Sequence, residues 1–233
     1  MPLPVPLLLV PGLLCSARLY APQVAALWPR GPVMVADHLR DADVTAIAAR
    51  ILADAPPRFA LAGLSMGGYI AFAMMRQAPE RIVKLALLDT SARPDTPEQS
   101  AVREKFIAMA EAGRLSEVVD TLAPRLVHKN RHGDAALVRV IRDMADDTGV
   151  TAFVQQERAI ITRPDSRPLL ASIACPTLVL VGEGDELTPP ALAQEMAAGI
   201  GGARLVVVPG SGHLSTLEQP DAVNAALGEW LDQ

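Results

Sequence analysis

A glycine-flanked serine between an apolar run and a helical pattern is the feature that most constrains this chain. The apolar run Phe59–Ala62 leads into the motif G-L-S-M-G around Ser65, and apolar residues at helical spacing follow from Met66. A strand that turns sharply into a helix holds a serine hydroxyl clear of the backbone, at a helix N-terminus where negative charge is favoured. Gly63 and Gly67 supply the room that such a turn requires. The pattern favours a nucleophilic Ser65 over a serine in an ordinary glycine-rich turn.

Composition limits the kind of protein that carries this motif. The 233 residues suit one domain, and 50% hydrophobic with 20% charged residues is typical of a globular chain. The net charge of -5 without a basic run argues against a nucleic-acid partner. Cys15 and Cys175 form no disulfide framework, which favours a reducing compartment and predicts a cytoplasmic protein.

The N-terminal run Met1–Val10 is apolar, but it has no positive charge and three prolines interrupt it. It therefore indicates a buried strand instead of a signal peptide. No stretch approaches 18 consecutive apolar residues, so we expect no transmembrane helix and no membrane partner.

Short apolar runs alternate with helical patterns along most of the chain. The predicted strands are Pro6–Val10, Val33–Ala36, Arg58–Ala62, Ile82–Leu88, Thr177–Val181 and Arg204–Val208. The predicted helices between and after them are Arg18–Trp28, Val44–Ala53, Met66–Gln77, Pro190–Ala198 and Asp221–Leu231. This order predicts an α/β fold, with a mostly parallel sheet of about six strands covered by helices on both faces.

The alternation stops between the fourth and fifth strands. From residue 93 to residue 165 the patterns are helical, over about Glu98–Glu111, Leu115–Leu122, Ala135–Asp146 and Thr151–Ile161. We interpret residues 93–165 as a helical cap inserted into a core formed by residues 1–92 and 166–233.

Three residues that could form a catalytic set follow predicted strands. Ser65 follows the third strand, Asp185 the fifth and His213 the sixth. Ligand and catalytic residues gather at the carboxyl ends of strands in such sheets. A serine hydroxyl needs a base to take its proton, and a histidine base needs an acid to fix its tautomer and stabilise its cation.

Other residues could take these roles. Asp185 could be a turn or helix-capping residue, and Asp89 also ends a strand, although a cap or loop hydrogen bond suits it better. The remaining rivals are the acids Glu183 and Glu186 and the histidines His38, His128 and His132. We expect His38 near the mouth of the site, and His213 at an exposed strand end.

The oxyanion of an acyl-transfer reaction needs backbone donors. The amide after the nucleophile, Met66, is the first expected donor. The second should come from the loop after the first strand, where Leu13 is favoured over Leu14. The apolar side chain of Leu14 would bind the substrate as part of an apolar pocket wall.

At this point the chain resembles the α/β-hydrolase superfamily over nearly its whole length. The matching segments are L-L-L-V-P-G-L-L from Leu7, G-L-S-M-G-G from Gly63, A-P-E-R-I from Ala78, P-T-L-V-L-V-G-E-G-D-E-L-T-P from Pro176 and G-S-G-H-L-S-T-L-E-Q-P from Gly210. The resemblance implies a serine hydrolase with a helical cap, in which Ser65, Asp185 and His213 are nucleophile, acid and base. The chain departs from many members by carrying Pro11-Gly12 where they have His-Gly. We also expect about six core strands where the family commonly shows eight, without the usual N-terminal β-hairpin.

These observations predict a hydrolase that cleaves a small to medium, largely apolar carboxylic ester through an acyl-enzyme. A lactone, thioester or carbon–carbon bond hydrolase would use the same residues, and a ligand receptor could keep the fold without turnover. We expect no cofactor and no metal, because the histidines lack H-E-x-x-H spacing and the cysteines lie far apart. Cys15 is either a thiol near the site, open to thiol reagents, or a small buried side chain. The oligomeric state stays undefined.

Overall fold

A six-stranded parallel sheet forms the centre of the computed structural model, which describes residues 5–233. Residues 1–4, the start of the apolar N-terminal run, lie outside the described residues. The strands are β1 (Leu7–Val10), β2 (Val33–Val35), β3 (Phe59–Leu64), β4 (Ile82–Leu88), β5 (Thr177–Gly182) and β6 (Arg204–Val208). Their order across the sheet is β2-β1-β3-β4-β5-β6, and each neighbouring pair is parallel. The predicted fold class is confirmed.

Helices cover both faces of this sheet. They are α1 (Ala21–Leu27), α2 (Val44–Asp54), α3 (Met66–Gln77), α4 (Pro97–Glu111), α5 (Leu115–Leu126), α6 (Ala135–Ile161), α7 (Pro190–Gly199), α8 (Ser215–Glu218) and α9 (Pro220–Asp232). Within residues 5–233, none of them is long and apolar enough to cross a membrane.

The side chains of β1 show how the two faces are filled. Leu7 and Leu9 belong to one hydrophobic cluster, which includes residues of α1, α9 and the helices after β4. Leu8 and Val10 belong to a second cluster with residues of α2, α3 and α7. Successive residues of a strand point to opposite faces, so a continuous apolar run is buried on both sides.

Strand β3 ends two residues later than the sequence predicts. Gly63 and Leu64 pair with Leu87 and Leu88 of β4, so the ladder continues to the residue before Ser65. The strand therefore leads into α3 without an intervening loop.

The helix predicted at Arg18–Trp28 is divided into three pieces. A 3₁₀ turn at Ala17–Tyr20 precedes α1, and a second one at Trp28–Arg30 follows it. Pro22 and Pro29 stand at the starts of the second and third pieces. Proline has no amide hydrogen to donate, so it favours a helix start over a helix interior.

Helices α4, α5 and α6 occupy the segment between β4 and β5. We call residues 93–165 the cap segment; its division from the core stays a prediction. Gly149 has φ 71° and ψ 170° and breaks the helical conformation inside α6. This break lies between the two helices that the sequence predicts there.

Candidate active site

Ser65 lies at the turn from β3 into α3, at the carboxyl edge of the sheet. Its φ of 55° and ψ of -116° are unusual for a residue with a side chain. A Cβ on Gly63 would lie closer than 3.0 Å to the Gly67 carbonyl oxygen, and one on Gly67 would lie that close to the Val10 carbonyl oxygen. Glycine is required on both sides because backbone occupies the space, as the sequence predicts.

His213 and Asp185 form a hydrogen-bonded pair at the same edge. His213 Nδ1 lies 2.8 Å from Asp185 Oδ2. The Thr188 hydroxyl donates to the same oxygen at 2.6 Å, while Asp185 Oδ1 accepts the amides of Leu187 and Thr188 at 2.8 and 2.9 Å. The expectation that His213 is exposed is wrong, because only 3% of the residue is accessible. The loop after β6 folds beneath cap-segment residues, since Leu214 N donates to Leu126 O.

The two side chains stabilise each other's charged forms. Burial lowers the pKa of His213, but attraction to Asp185 and their hydrogen bond outweigh burial and raise this pKa above its ordinary value. Burial likewise raises the pKa of Asp185, but attraction to His213 and hydrogen bonds from His213 and Thr188 hold it below its ordinary value. The arrangement favours an ionised Asp185 and supports a positive charge that forms on His213.

Asp89 is buried close to this pair but contacts other groups. Its Oδ1 accepts the Gly182 amide at 2.8 Å, and its Oδ2 accepts the hydroxyl of Ser215. Burial and repulsion from Asp185 raise the pKa of Asp89 well above its ordinary value. Asp89 thus links the end of β4 to the loop of His213, which agrees with the structural role expected for it.

The other rival acids lie outside the pair. Glu183 and Glu186 are exposed, and Glu183 accepts the Gly210 amide. Among residues 5–233, Asp185 is the acid that is hydrogen-bonded to His213.

Ser65 and His213 lie on adjoining parts of the sheet edge. Ser65 N donates to Leu88 O at the end of β4. The next residue, Asp89, accepts the hydroxyl of Ser215, which follows His213 by two residues. In the described part of the chain, the Ser65 hydroxyl makes no hydrogen bond, to His213 or to any other group. Because Nδ1 of His213 is engaged by Asp185, Nε2 is left to accept a proton. Such hydrogen bonds often tighten only when substrate is bound.

The loop after β1 packs directly against Ser65. A Cβ on Gly12 would lie 3.3 Å from Ser65 Cβ and 3.3 Å from Leu64 O. Over residues 5–233, the amides of Leu13 and Met66 donate to no protein acceptor, so both are free for an oxyanion. The Leu14 amide donates to Gln156 Oε1 at 3.1 Å and is therefore occupied. This geometry favours Leu13 over Leu14, and the donor roles of Leu13 and Met66 stay predictions.

Comparison with known proteins assigns the family. A profile of the Alpha/beta hydrolase family matches residues 5–226. The chain belongs to the alpha/beta hydrolase family. A thermophilic esterase from Thermogutta terrifontis, solved with malate bound, is 31% identical with a TM-score of 0.90, over 99% of this chain and 90% of that chain. The enol-lactonase from Burkholderia xenovorans LB400 is 27% identical with a TM-score of 0.88, over 98% of this chain and 92% of that chain.

A curated relative points the same way. The pimeloyl-[acyl-carrier protein] methyl ester esterase of Neisseria meningitidis is 26% identical over 222 residues, which cover 91% of this chain and 85% of that protein. The resemblance found from the motifs is confirmed, and this alpha/beta hydrolase has relatives that act as hydrolases.

An apolar cleft of this alpha/beta hydrolase lies between the site loops and the cap segment. Its walls come from the loop after β1, from α5, from α6 and from Leu214 beside His213. The lining residues are Leu13, Leu14, Cys15, Val119, Leu122, Leu126, Ile141, Met144, Ala145 and Leu214. Its volume of about 10 Å³ holds about one water molecule, so any larger group would enter only if the lining side chains moved apart.

The structure bears on two predictions about side chains near the site, those for Cys15 and His38. Cys15 is buried, and burial raises the pKa of its thiol to about 12, so it is a packed side chain and not a reactive thiol. His38 does not line a mouth: it is 2% exposed and lies behind the loop, with Nε2 2.9 Å from Gly12 O.

Sequence reasoning missed three residues around the site. Thr188 donates its hydroxyl to Asp185. An aspartate followed three residues later by a threonine is a turn pattern from which this contact could be predicted. Ser215 and Gln156 contact Asp89 and Leu14 through pairings of distant segments, for which the sequence gives no local signal.

Proposed function

We propose that this alpha/beta hydrolase is a serine esterase that cleaves carboxylic esters of small to medium, largely apolar substrates. The observation that carries the proposal is the 2.8 Å hydrogen bond between His213 and Asp185 at the sheet edge where Ser65 turns into α3. A nucleophile, a base and an acid held by the base are the groups that acyl transfer needs.

In the first half-reaction, the Ser65 hydroxyl attacks the ester carbonyl while His213 Nε2 takes its proton. Asp185 holds the imidazole by Nδ1 and stabilises the positive charge that forms. The amides of Met66 and Leu13 donate to the oxyanion of the tetrahedral intermediate. Collapse of the intermediate breaks the bond to the alcohol, which leaves with the proton from His213.

In the second half-reaction, water attacks the acyl group on Ser65. His213 takes a proton from the water and returns it to Ser65 Oγ as the acid is released. The same two amides stabilise the second oxyanion. No group beyond these residues and water takes part in the proposed cycle.

The apolar cleft supports an apolar acyl group in the substrate. Leu13, Leu14 and Leu214 bring apolar surface next to the proposed oxyanion donor and base. The similarity to two esterases supports an ester as the substrate.

Intact mass after incubation with a fluorophosphonate tests the mechanism. We expect one adduct on Ser65, with hydrolysis of p-nitrophenyl esters that peaks at one acyl length between acetyl and dodecanoyl. Ser65→Ala should lose both the adduct and turnover, whereas Ser116→Ala, an exposed serine in α5, should keep both. Turnover that persists in Ser65→Ala would refute the assignment.

Hydrolysis of a lactone by the same residues is the second candidate, and the similarity to the enol-lactonase favours it. Labelling of Ser65 with no turnover of any p-nitrophenyl ester, but with turnover of lactones, would select this candidate. Labelling without turnover of esters, lactones or thioesters would instead favour a ligand receptor.

A further inference from the structure

We propose that His38 and Gln156 are positioning residues that fix the loop Gly12–Leu14 so that the Leu13 amide faces the oxyanion. The inference rests on the proposed function for its catalytic meaning. Gln156 belongs to the second part of α6, in the cap segment, and His38 follows β2 in the core. They meet behind the loop, and neither is predicted by a catalytic motif.

Buried contacts link the loop to Gln156 and His38. Gln156 Oε1 accepts the Leu14 amide at 3.1 Å, and Gln156 Nε2 lies 3.1 Å from His38 Nε2. His38 Nε2 lies 2.9 Å from Gly12 O. Gln156 is 0% exposed and His38 is 2% exposed, so water does not compete for these contacts.

Peptide planarity explains how these contacts orient the Leu13 amide towards Ser65. Gly12 O and the Leu13 N–H belong to one trans peptide, in which they point in opposite directions. A group that holds Gly12 O on the His38 side therefore turns the Leu13 N–H to the other side, where Gly12 packs against Ser65. The Cys15 amide also donates to Gly12 O, at 3.2 Å, and supports the same orientation.

Gln156 fixes the next peptide. Leu14 has a φ of 55°, a conformation that side-chain-bearing residues seldom adopt. Its amide is buried and needs an acceptor, and Gln156 Oε1 supplies one. Without this acceptor the loop would turn to satisfy the Leu14 amide and would displace the Leu13 donor.

His38 works as a neutral ring, because burial lowers its pKa from the ordinary value. A neutral imidazole carries one proton, and we place it on Nε2, where it donates to Gly12 O at 2.9 Å. The 3.1 Å approach of Gln156 Nε2 is then a packing contact and not a hydrogen bond. An amide side chain has both a donor and an acceptor, and glutamine places its Nε2 at nearly the reach of histidine Nε2. His38→Gln is therefore the conservative variant, and His38→Phe keeps a ring without hydrogen bonds.

Two readouts on four variants test the proposal. We expect Gln156→Leu and His38→Phe each to lower kcat about tenfold to a hundredfold, which is less than the roughly 10²–10³-fold cost of losing an oxyanion donor outright, with KM changed less than about threefold. His38→Gln should recover most of the loss in His38→Phe. The double variant Gln156→Leu/His38→Phe should lose about as much as the more impaired single variant, because both changes act on one loop.

Amide hydrogen exchange of Leu14, measured by NMR on ¹⁵N-leucine-labelled protein, gives the second readout. Exchange should be at least about tenfold faster in Gln156→Leu than in the wild type, since the acceptor is gone. Gln155→Leu is the matched control. Its neighbouring, partly exposed amide makes no side-chain hydrogen bond within residues 5–233, so both readouts should stay at wild-type values.

Several results would overturn the proposal. These are unchanged Leu14 exchange in Gln156→Leu, a loss confined to KM, or additive losses in the double variant. Failure of the proposed function is distinguishable, because it would show as absent Ser65 labelling in the wild type. The exchange readout would still report whether Gln156 and His38 hold the loop.

Discussion

At the residue scale, Asp185 shows how one carboxylate can be held ionised inside the protein. It accepts the amides of Leu187 and Thr188, the hydroxyl of Thr188 and the His213 ring nitrogen. A buried carboxylate is costly unless such donors surround it. Asp89, equally buried, has a raised pKa because its few donors do not outweigh burial and the repulsion from Asp185.

Asp185→Asn tests the acid directly. The asparagine amide would no longer hold the His213 tautomer or stabilise its cation, so kcat should fall about 10⁴-fold with the fold retained. Glu186→Gln, an exposed change one residue away, should keep wild-type turnover. Steady-state kinetics measure both variants, and a loss below about tenfold in Asp185→Asn would exclude Asp185 as the acid.

The pH dependence of kcat/KM tests the charge on His213. The proposed base works when neutral, and Asp185 raises the pKa of His213 above its ordinary value of 6.5. Activity should therefore rise with pH through a midpoint above 6.5, because the protonated form persists to higher pH. An ester hydrolysis profile between about pH 5 and 9 measures this midpoint. A midpoint below 6.5 would contradict the assigned pair.

At the element scale, the carboxyl ends of three neighbouring strands carry the backbone strain. The residues with side chains and positive φ in the described chain are Leu14, Ser65 and Asp89, which follow β1, β3 and β4. Each such conformation costs about 1–3 kcal/mol and persists only where the surroundings enforce it. Their grouping at one sheet edge agrees with a functional site there.

Gly67→Ala tests how tightly the elbow, the turn from β3 through Ser65 into α3, is packed. The new Cβ would lie closer than 3.0 Å to the Val10 and Pro11 carbonyl oxygens, so β1 and α3 would have to separate. We expect a loss of about 1–3 kcal/mol in the free energy of unfolding and slower labelling of Ser65. Gly133→Ala, where a Cβ meets nothing within 4 Å, is the control in urea unfolding. Equal stability of the two variants would argue against the predicted clash.

At the scale of the whole molecule, a largely buried ion network within the cap segment contacts the core through Arg163. Asp95 contacts Arg103 Nε at 2.6 Å and Arg163 Nη1 at 2.7 Å, and Arg103 Nη1 contacts Glu157 at 2.7 Å. The Arg163 guanidinium lies 4.1 Å from the ring centre of Tyr69 on α3. The ion pairs join α4 to α6, and the Arg163–Tyr69 contact places both next to α3.

Removal of the shared carboxylate should loosen this connection. Asp95→Ala would leave the buried Arg163 and the partly buried Arg103 each short of a partner, and we expect a loss of about 3–5 kcal/mol in the free energy of unfolding. Asp120→Ala breaks the exposed pair with Arg142 and should cost less than about 1 kcal/mol. Urea unfolding compares the two. A cost for Asp95→Ala near that of Asp120→Ala would show that solvent screens the network.

Prediction from sequence worked where the signal is local. Strands β4 and β6 and helix α3 have the predicted bounds, because apolar runs and a helical period report burial residue by residue. The short helix α8 was not predicted, since four residues give no period. The split of Arg18–Trp28 was missed because its apolar residues continue across two prolines.

The sequence by itself determined the α/β order, the glycines of the elbow and the order of Ser65, Asp185 and His213, because these depend on neighbours in the chain. Only the tertiary structure decided which acid reaches His213, that His213 is buried, and that Gln156 occupies the Leu14 amide. Gln156 and Leu14 lie 142 residues apart. Such a pairing is set by how the cap segment packs on the sheet edge, and a hydrogen bond a few ångströms long leaves no trace in local sequence periodicity.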